Sequence, residues 1–347
     1  MAEKIKAAVL HKPLDLRVEK VDMPVAGLDD VLVKVRVVGV CGSDVHYWQT
    51  GRIGPYVVEQ PMILGHECAG EVVEVGNNVK RLQVGDRVAL EPGIPCRKCF
   101  FCRSGRYNLC PDVHFMATPP VDGALVEYLV HPADFAFPLP ENVSYEEGSL
   151  LEPLSVGIYA VRRANLGLGA HVLITGAGPI GLVTLLAARA AGTTKIYMTD
   201  VRDDRLDLAK QMGATEVINV AEEDVGKKVD KLTNGVGVDA VIECSGAPAA
   251  SSGSLLWVRR GGTVVLVGMG PDEFNFPVLT IGAKELDVRG VFRYVNTYPA
   301  AVELVANGAV NLKPLVTHHY PLDQVVEAMD VAHKGTGGAI KVAVTLC

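Results

Sequence analysis

Hydrophobic and polar residues follow two rhythms along this chain, and the change of rhythm divides it. In DVLVKVRV (30–37), Val31, Val33, Val35 and Val37 fall on one face and Lys34 and Arg36 on the other. That period of two predicts a half-buried strand. EVVEVGNNVKRLQVGDRVAL (71–90) continues with short strands broken by Gly-Asn and Gly-Asp turns, so the first part reads as sheet-dominated and rich in loops. From about residue 170, HVLIT, KIYMTD, TEVINV, VDAVIECS, TVVLVG and LDVRGVF are short runs rich in Val and Ile, the earlier ones separated by helical patterns. In RDDRLDLAKQMGA (202–214), Leu206, Ala209 and Met212 share a stripe, acids come early, and Gly213 is placed to end the helix. Repeated strand, helix, strand units predict a parallel sheet covered on both faces. The tail adds a helix (PAAVELVAN), a strand (PLVTHHY), a helix (LDQVVEAMDVAHK) and a strand (IKVAVTL), and its pattern does not say which domain owns it.

A length of 347 residues fits about two domains, each with its own core. The net charge of -7 comes with no dense block of Lys and Arg, so no nucleic acid or anionic membrane surface is expected as a partner. The N-terminal apolar run is too short for a signal peptide, and LVTLLAARAAG is closed off by Arg189 and Gly192 before it could span a bilayer. A cytoplasmic protein is the expectation. Of eight cysteines, four fall within fifteen residues, which in a reducing compartment suggests metal binding before disulfides.

ITGAGPIGLVTLLAARAAG carries GxGxxG at Gly176, Gly178 and Gly181. Alone the motif is weak, because glycines often serve only turn geometry. Here it follows a predicted strand, opens a predicted helix, and precedes Asp200 at the end of the next strand. This is the full context of a dinucleotide-binding turn, with the pyrophosphate at the helix N-terminus. A carboxylate at Asp200 suits the ribose of NAD and would repel the 2′-phosphate of NADP. Arg202 and Arg205 lie close behind, either as solvated charges or, for Arg205, as a cofactor contact.

PCRKCFFCRSGRYNLCPD holds Cys96, Cys99, Cys102 and Cys110. Such spacing lets one loop wrap four thiolates around a structural zinc; an iron-sulfur cluster is the rival, with a last spacing longer than the usual ferredoxin run. Arg97, Lys98, Arg103 and Arg106 would offset the thiolate charge. In LGHECAG, His66 and Glu67 sit side by side between glycines, and Cys41 in GVCGSDVHYW is the natural third ligand of a catalytic zinc with an open position. The plainer reading is a satisfied core histidine and an inert core cysteine. Glu152 in GSLLEPLSVG stands in an apolar run; if buried it must face a cation or bound water, and otherwise it is an exposed loop residue.

CGSDVHYW, GHE, the four-cysteine lobe, RYNLCPD, ATPP, LLEPLSVG, GAGPIG and GVFRY together make the chain resemble, over essentially its whole length, the zinc-containing polyol dehydrogenases. These are the sorbitol and xylitol dehydrogenase branch of the medium-chain dehydrogenase/reductase superfamily. The resemblance implies an α/β fold: a GroES-like β-rich catalytic domain (1–155) with a structural zinc lobe at about 92–112, a Rossmann NAD-binding domain with a doubly wound parallel sheet (156–294), and a C-terminal return to the catalytic domain (295–347). It implies a homo-oligomer, most often a tetramer, and a polyol or ketose as the small-molecule partner. It also implies catalytic zinc on Cys41, His66 and Glu67, with Glu152 holding the zinc-bound water or exchanging with Glu67, and Asp44 behind His66. Ser43 matches a proton relay that His46 would extend if it is not simply a surface histidine. Tyr47, Phe115, Thr118, Arg293 and Tyr294 match the polyol pocket; Pro179 and Ile180 belong to the cofactor turn, and Val267, Gly268, Phe292 and Arg293 lie toward the nicotinamide. Val121, Ala124 and Glu127 depart from the family pattern and leave the preferred polyol open. The alternatives are a dehydrogenase for another secondary alcohol, such as threonine or a diol, and a cofactor-binding protein without turnover.

Overall fold

The structure, a computed structural model, describes residues 3–271 and 273–346. It forms two compact units, one holding the residues up to Glu152 and those from Tyr298 onward, the other Pro153–Thr297. The boundaries expected at 155 and 294 thus fall at 152 and 297, the first of them inside the helix Leu151–Ala164.

The first unit is built on a sheet of seven described strands, with Asp30–Gly39 near its centre. That strand pairs antiparallel with Glu67–Val75, Tyr128–Pro132 and Lys341–Thr345. Its alternation appears as predicted: Val31, Val33 and Val35 are buried while Lys34 and Arg36 are half-buried. The polar face is nonetheless covered, because Arg36 pairs with Glu71 at 2.9 Å and Lys34 lies over the Tyr128 ring. The C-terminal strand Lys341–Thr345 lies between Asp30–Gly39 and Val316–Pro321 in this sheet. Val325, Ala328 and Met329 of the helix Val325–Lys334 join the same apolar core as Val33, Val35 and Val38. The tail therefore completes the first unit.

The second unit holds six described parallel strands, in the order Glu216–Asn219, Lys195–Asp200, His171–Thr175, Val238–Glu243, Val258–Leu266, Asp287–Gly290. Each derives from one of the six apolar runs in the sequence. The order reverses between His171–Thr175 and Val238–Glu243, and in open α/β sheets ligands bind outside the carboxyl ends at such a reversal. Helix Asp203–Gln211 buries Leu206 and Ala209, Met212 follows as its buried cap, and Gly213 at φ +105° turns the chain away. No helix among the described residues is long and apolar enough to cross a membrane.

Candidate active site

Two segments of the first unit meet through one carboxylate. Cys41 precedes the helix Gly42–Thr50, and Asp44 in its first turn accepts a hydrogen bond from Cys41 N at 3.0 Å and from Gly65 N at 2.9 Å. Gly65 has φ +88°, and a Cβ there would meet Leu125 and Val38 at 2.9 Å, so only glycine allows the turn that delivers His66 and Glu67 to the start of the strand Glu67–Val75. One ligand atom each from Cys41, His66 and Glu67 lies within 4.8 Å of the others. A thiolate, an imidazole and a carboxylate are the donors that zinc accepts, and three protein ligands leave an open position for chemistry.

Asp44 Oδ1 stands 3.5 Å from His66 Nδ1, which leaves Nε2 for a metal and sets the tautomer, as a carboxylate behind a ligating histidine does. Burial is the largest influence on both side chains and disfavours their charges. The mutual attraction of the pair, with Cys41 beside His66 and backbone N–H groups on Asp44, still lowers the Asp44 pKa and raises that of His66 well above the ordinary histidine range. Glu152 is buried in the first turn of the helix Leu151–Ala164, where the helix N-terminus favours negative charge. The exposed-loop reading of Glu152 is thereby set aside.

Sequence reasoning missed Lys341. Its Nζ donates to Glu67 Oε1 and Oε2, both at 2.7 Å, and to Val40 O at 3.1 Å, and both side chains are buried. Burial, the largest influence, opposes its charge, but Glu67, then Cys41, and more weakly Glu152 outweigh that and raise its pKa above the ordinary lysine range. No local signal marked it: in IKVAVTL, alternation places Lys341 with Ala343 and Thr345 on the face opposite Ile340, Val342 and Val344, where a lysine reads as solvated. Gly39, opposite Glu67 in the sheet, is equally specific, since a Cβ there would lie 2.2 Å from Glu67 Oε2.

Phe115 packs its ring 5.6 Å from that of His66, and Tyr47 is buried in the helix that begins after Cys41. Ser43 and Thr118 are half-buried, while His46 is exposed. Glu91 is buried beneath the four-cysteine lobe and accepts a hydrogen bond from Tyr107 at 2.7 Å. Burial, partly offset by Tyr107 and reinforced by Glu152, pushes its pKa up to about 7.

The sulfur atoms of Cys96, Cys99, Cys102 and Cys110 also lie within 4.8 Å of one another. Cys96 N and Cys102 N point at the sulfurs of Cys110 and Cys99, at 3.4 and 3.5 Å, which stabilises thiolates around one ion. The compact arrangement of four sulfurs suits a closed structural zinc. Arg97 offsets the thiolate charge less than expected, because its guanidinium Nη2 donates to both carboxylate oxygens of Asp134, at 2.8 and 2.9 Å.

In the second unit Gly176 turns at φ +83°, and a Cβ on Gly181 would lie 1.8 Å from Gly176 O. The strand, turn and helix can pack this closely only without a side chain there. Gly178 precedes the helix Pro179–Ala190, which no side chain caps, and Ile180 lies in its first turn. Asp200 accepts from Ala177 N at 2.7 Å, Val201 N at 2.8 Å and Arg202 N at 3.0 Å, so the acid also braces the glycine turn, with Arg205 at 4.0 Å. Val267 N and Gly268 N both donate to Glu243 O at 2.9 Å. The Glu243 side chain, also unforeseen, gathers Thr175 Oγ1 at 3.1 Å, Ser245 N at 2.8 Å and Gly246 N at 2.9 Å. It thus ties the strand ends beside the reversal point. Phe292, Arg293 and Tyr294 follow the last strand of this unit, Arg293 at φ +55°.

Comparison with known proteins places this architecture. Residues 27–141 match the alcohol dehydrogenase GroES-like domain and residues 179–307 the zinc-binding dehydrogenase domain. The chain is 50% identical to sorbitol dehydrogenase of Rattus norvegicus over 95% of its own length and 93% of that protein's. It is 48% identical to sorbitol dehydrogenase of Bacillus subtilis (strain 168), over 99% and 97%. A crystal structure of an Escherichia coli oxidoreductase of unknown specificity superimposes with a TM-score of 0.96 at 40% identity, covering 99% of this chain and 100% of that one. The chain belongs to the zinc-dependent medium-chain dehydrogenases, in the group that includes the sorbitol dehydrogenases.

Proposed function

We propose that this enzyme oxidises a secondary hydroxyl of a polyol, such as sorbitol or xylitol, to the ketose, with NAD as hydride acceptor. The observation that carries the reading is the convergence of Cys41, His66 and Glu67 within 4.8 Å, backed by Asp44. Bound zinc would supply Lewis acidity and the nicotinamide would accept hydride, so that alcohol and NAD⁺ give ketone, NADH and one proton. The chain's own residues supply the rest. Asp44 holds the His66 ring and both ligand-bearing segments in place. The proton leaving the substrate hydroxyl would pass through Ser43 Oγ, which releases its own proton as it accepts, toward bound water or the Glu152 carboxylate. Tyr47 and Phe115, both buried, and the half-buried Thr118 would position the substrate. Asp200 favours NAD because its carboxylate stands at the end of the second sheet strand, beside the glycine turn. The names of the near relatives support a polyol over threonine or a simple diol. On the same footing we propose a homotetramer of the cytoplasm, for which sedimentation at four chain masses is the check and a monomer the contrary result.

The test is the rate of NAD and NADP reduction with sorbitol, xylitol and a simple secondary alcohol, before and after a chelator strips the metal. Polyols oxidised fastest with NAD, with activity lost on chelation and restored by zinc, support the reading. Faster turnover of the simple alcohol, or restored zinc without polyol activity, overturns it.

A further inference from the structure

Glu67 faces Gly39 across the sheet from one side, and Ala343 faces Gly39 from the other. Residues two apart in a strand share a face, so Lys341 and Glu67 stand on the same side of the sheet with only a glycine between them. The missing side chain at Gly39 is what lets them meet. A lysine ammonium has three N–H donors, and the contacts to Glu67 Oε1, Glu67 Oε2 and Val40 O account for all three. Lys341 is 4% exposed and Glu67 1%. A buried carboxylate left without a cation is strongly destabilising, as is a buried ammonium without an anion.

We propose that Lys341 is a built-in countercharge for the metal pocket: it shares Glu67 with the zinc, stabilises the pocket when zinc is removed, and holds zinc affinity below what the three ligands would otherwise give. The inference rests on the assignment of Cys41, His66 and Glu67 as the zinc site. Two consequences follow from charge alone. Without Lys341, zinc becomes the only cation facing Glu67, so the zinc-loaded protein loses less than the stripped protein does. Zinc also no longer binds against a fixed positive charge touching one of its ligands. As a positioning residue, Lys341 needs to touch no substrate.

The experiment measures zinc affinity, by competition with a chromophoric chelator, and melting temperature in stripped and zinc-loaded forms of the wild type, Lys341→Met and Lys341→Arg. Lys341→Met is expected to melt well below wild type when stripped, to gain more from zinc than wild type does, and to bind the catalytic zinc about ten-fold tighter. Lys341→Arg, which keeps the charge, is expected to stay near wild type in both readouts. Unchanged or weaker zinc binding by Lys341→Met overturns the inference. If that variant does not fold without zinc, the double variant Lys341→Met/Glu67→Gln decides: recovery of stripped stability supports a countercharge, and persistent instability overturns it in favour of simple packing. Failure of the site assignment is visible separately, because wild type would then take up zinc only at the four-cysteine lobe.

Discussion

At the scale of single residues, the site depends on what glycine leaves empty as much as on its ligands. Gly39 has ordinary strand geometry that alanine can adopt, but a Cβ there would lie 2.2 Å from Glu67 Oε2. Gly39→Ala should therefore fold and yet displace the carboxylate, lowering kcat/KM by about a hundred-fold, since misplacement of about 1 Å at a reacting centre has that effect. Steady-state kinetics beside a melting curve checks it; normal turnover would show that Glu67 does not need its present position. Glu91 offers a pH test. Its pKa rises from an ordinary 4.5 to about 7 on folding, so between those values the folded chain keeps a proton that the unfolded chain has lost. The stabilisation is complete below pH 4.5 and is lost as the pH rises through about 7. His131, buried and lowered from 6.5 to about 4, works oppositely and adds stability as the pH rises over that range. Comparing Glu91→Gln with wild type isolates the carboxyl: the variant should lose less stability from pH 4.5 to 7, by about 3 kcal/mol at most. Parallel stability curves for the two proteins would contradict this.

At the scale of elements, each site sits where one strand or helix meets a short loop. The four-cysteine loop brings its sulfurs together locally, and Tyr107 links it to Glu91 just after the strand Arg87–Leu90. Cys99→Ser should lower the melting temperature by about 5–10 °C while kcat per folded molecule stays within about two-fold, because a closed site does no chemistry. Dead chemistry in a fully stable variant would reverse that division of labour. The strand Lys195–Asp200 ends on a carboxylate that braces the glycine turn. Asp200→Ala is expected to raise KM for NAD about ten-fold and to narrow the preference over NADP. An unchanged NAD/NADP ratio in initial-rate assays would place cofactor choice elsewhere, with Arg205 the first residue to examine.

At the scale of the whole molecule, local signals and distant contacts divided the work. The sequence by itself determined the six parallel strands, through apolar runs whose β-branched residues suit a sheet buried on both faces. It determined the glycine turn, because strand, glycines, helix and acid are consecutive, and the four-cysteine lobe, because its cysteines share one loop. His66 and Glu67 were legible as an anomaly, two charged or polar residues in an apolar setting. Tertiary structure alone decided the rest. Lys341 lies 274 residues from Glu67, and only the return of the last strand to Asp30–Gly39 brings them together. For Glu152 the apolar run already favoured burial, and the fold added its place in the first turn of the helix Leu151–Ala164. Arg97 pairs with Asp134, 37 residues away, a partner that no local pattern names. Periodicity reports which face of an element is covered; it cannot report which distant side chain covers it, and in a buried charge cluster that partner sets the energy.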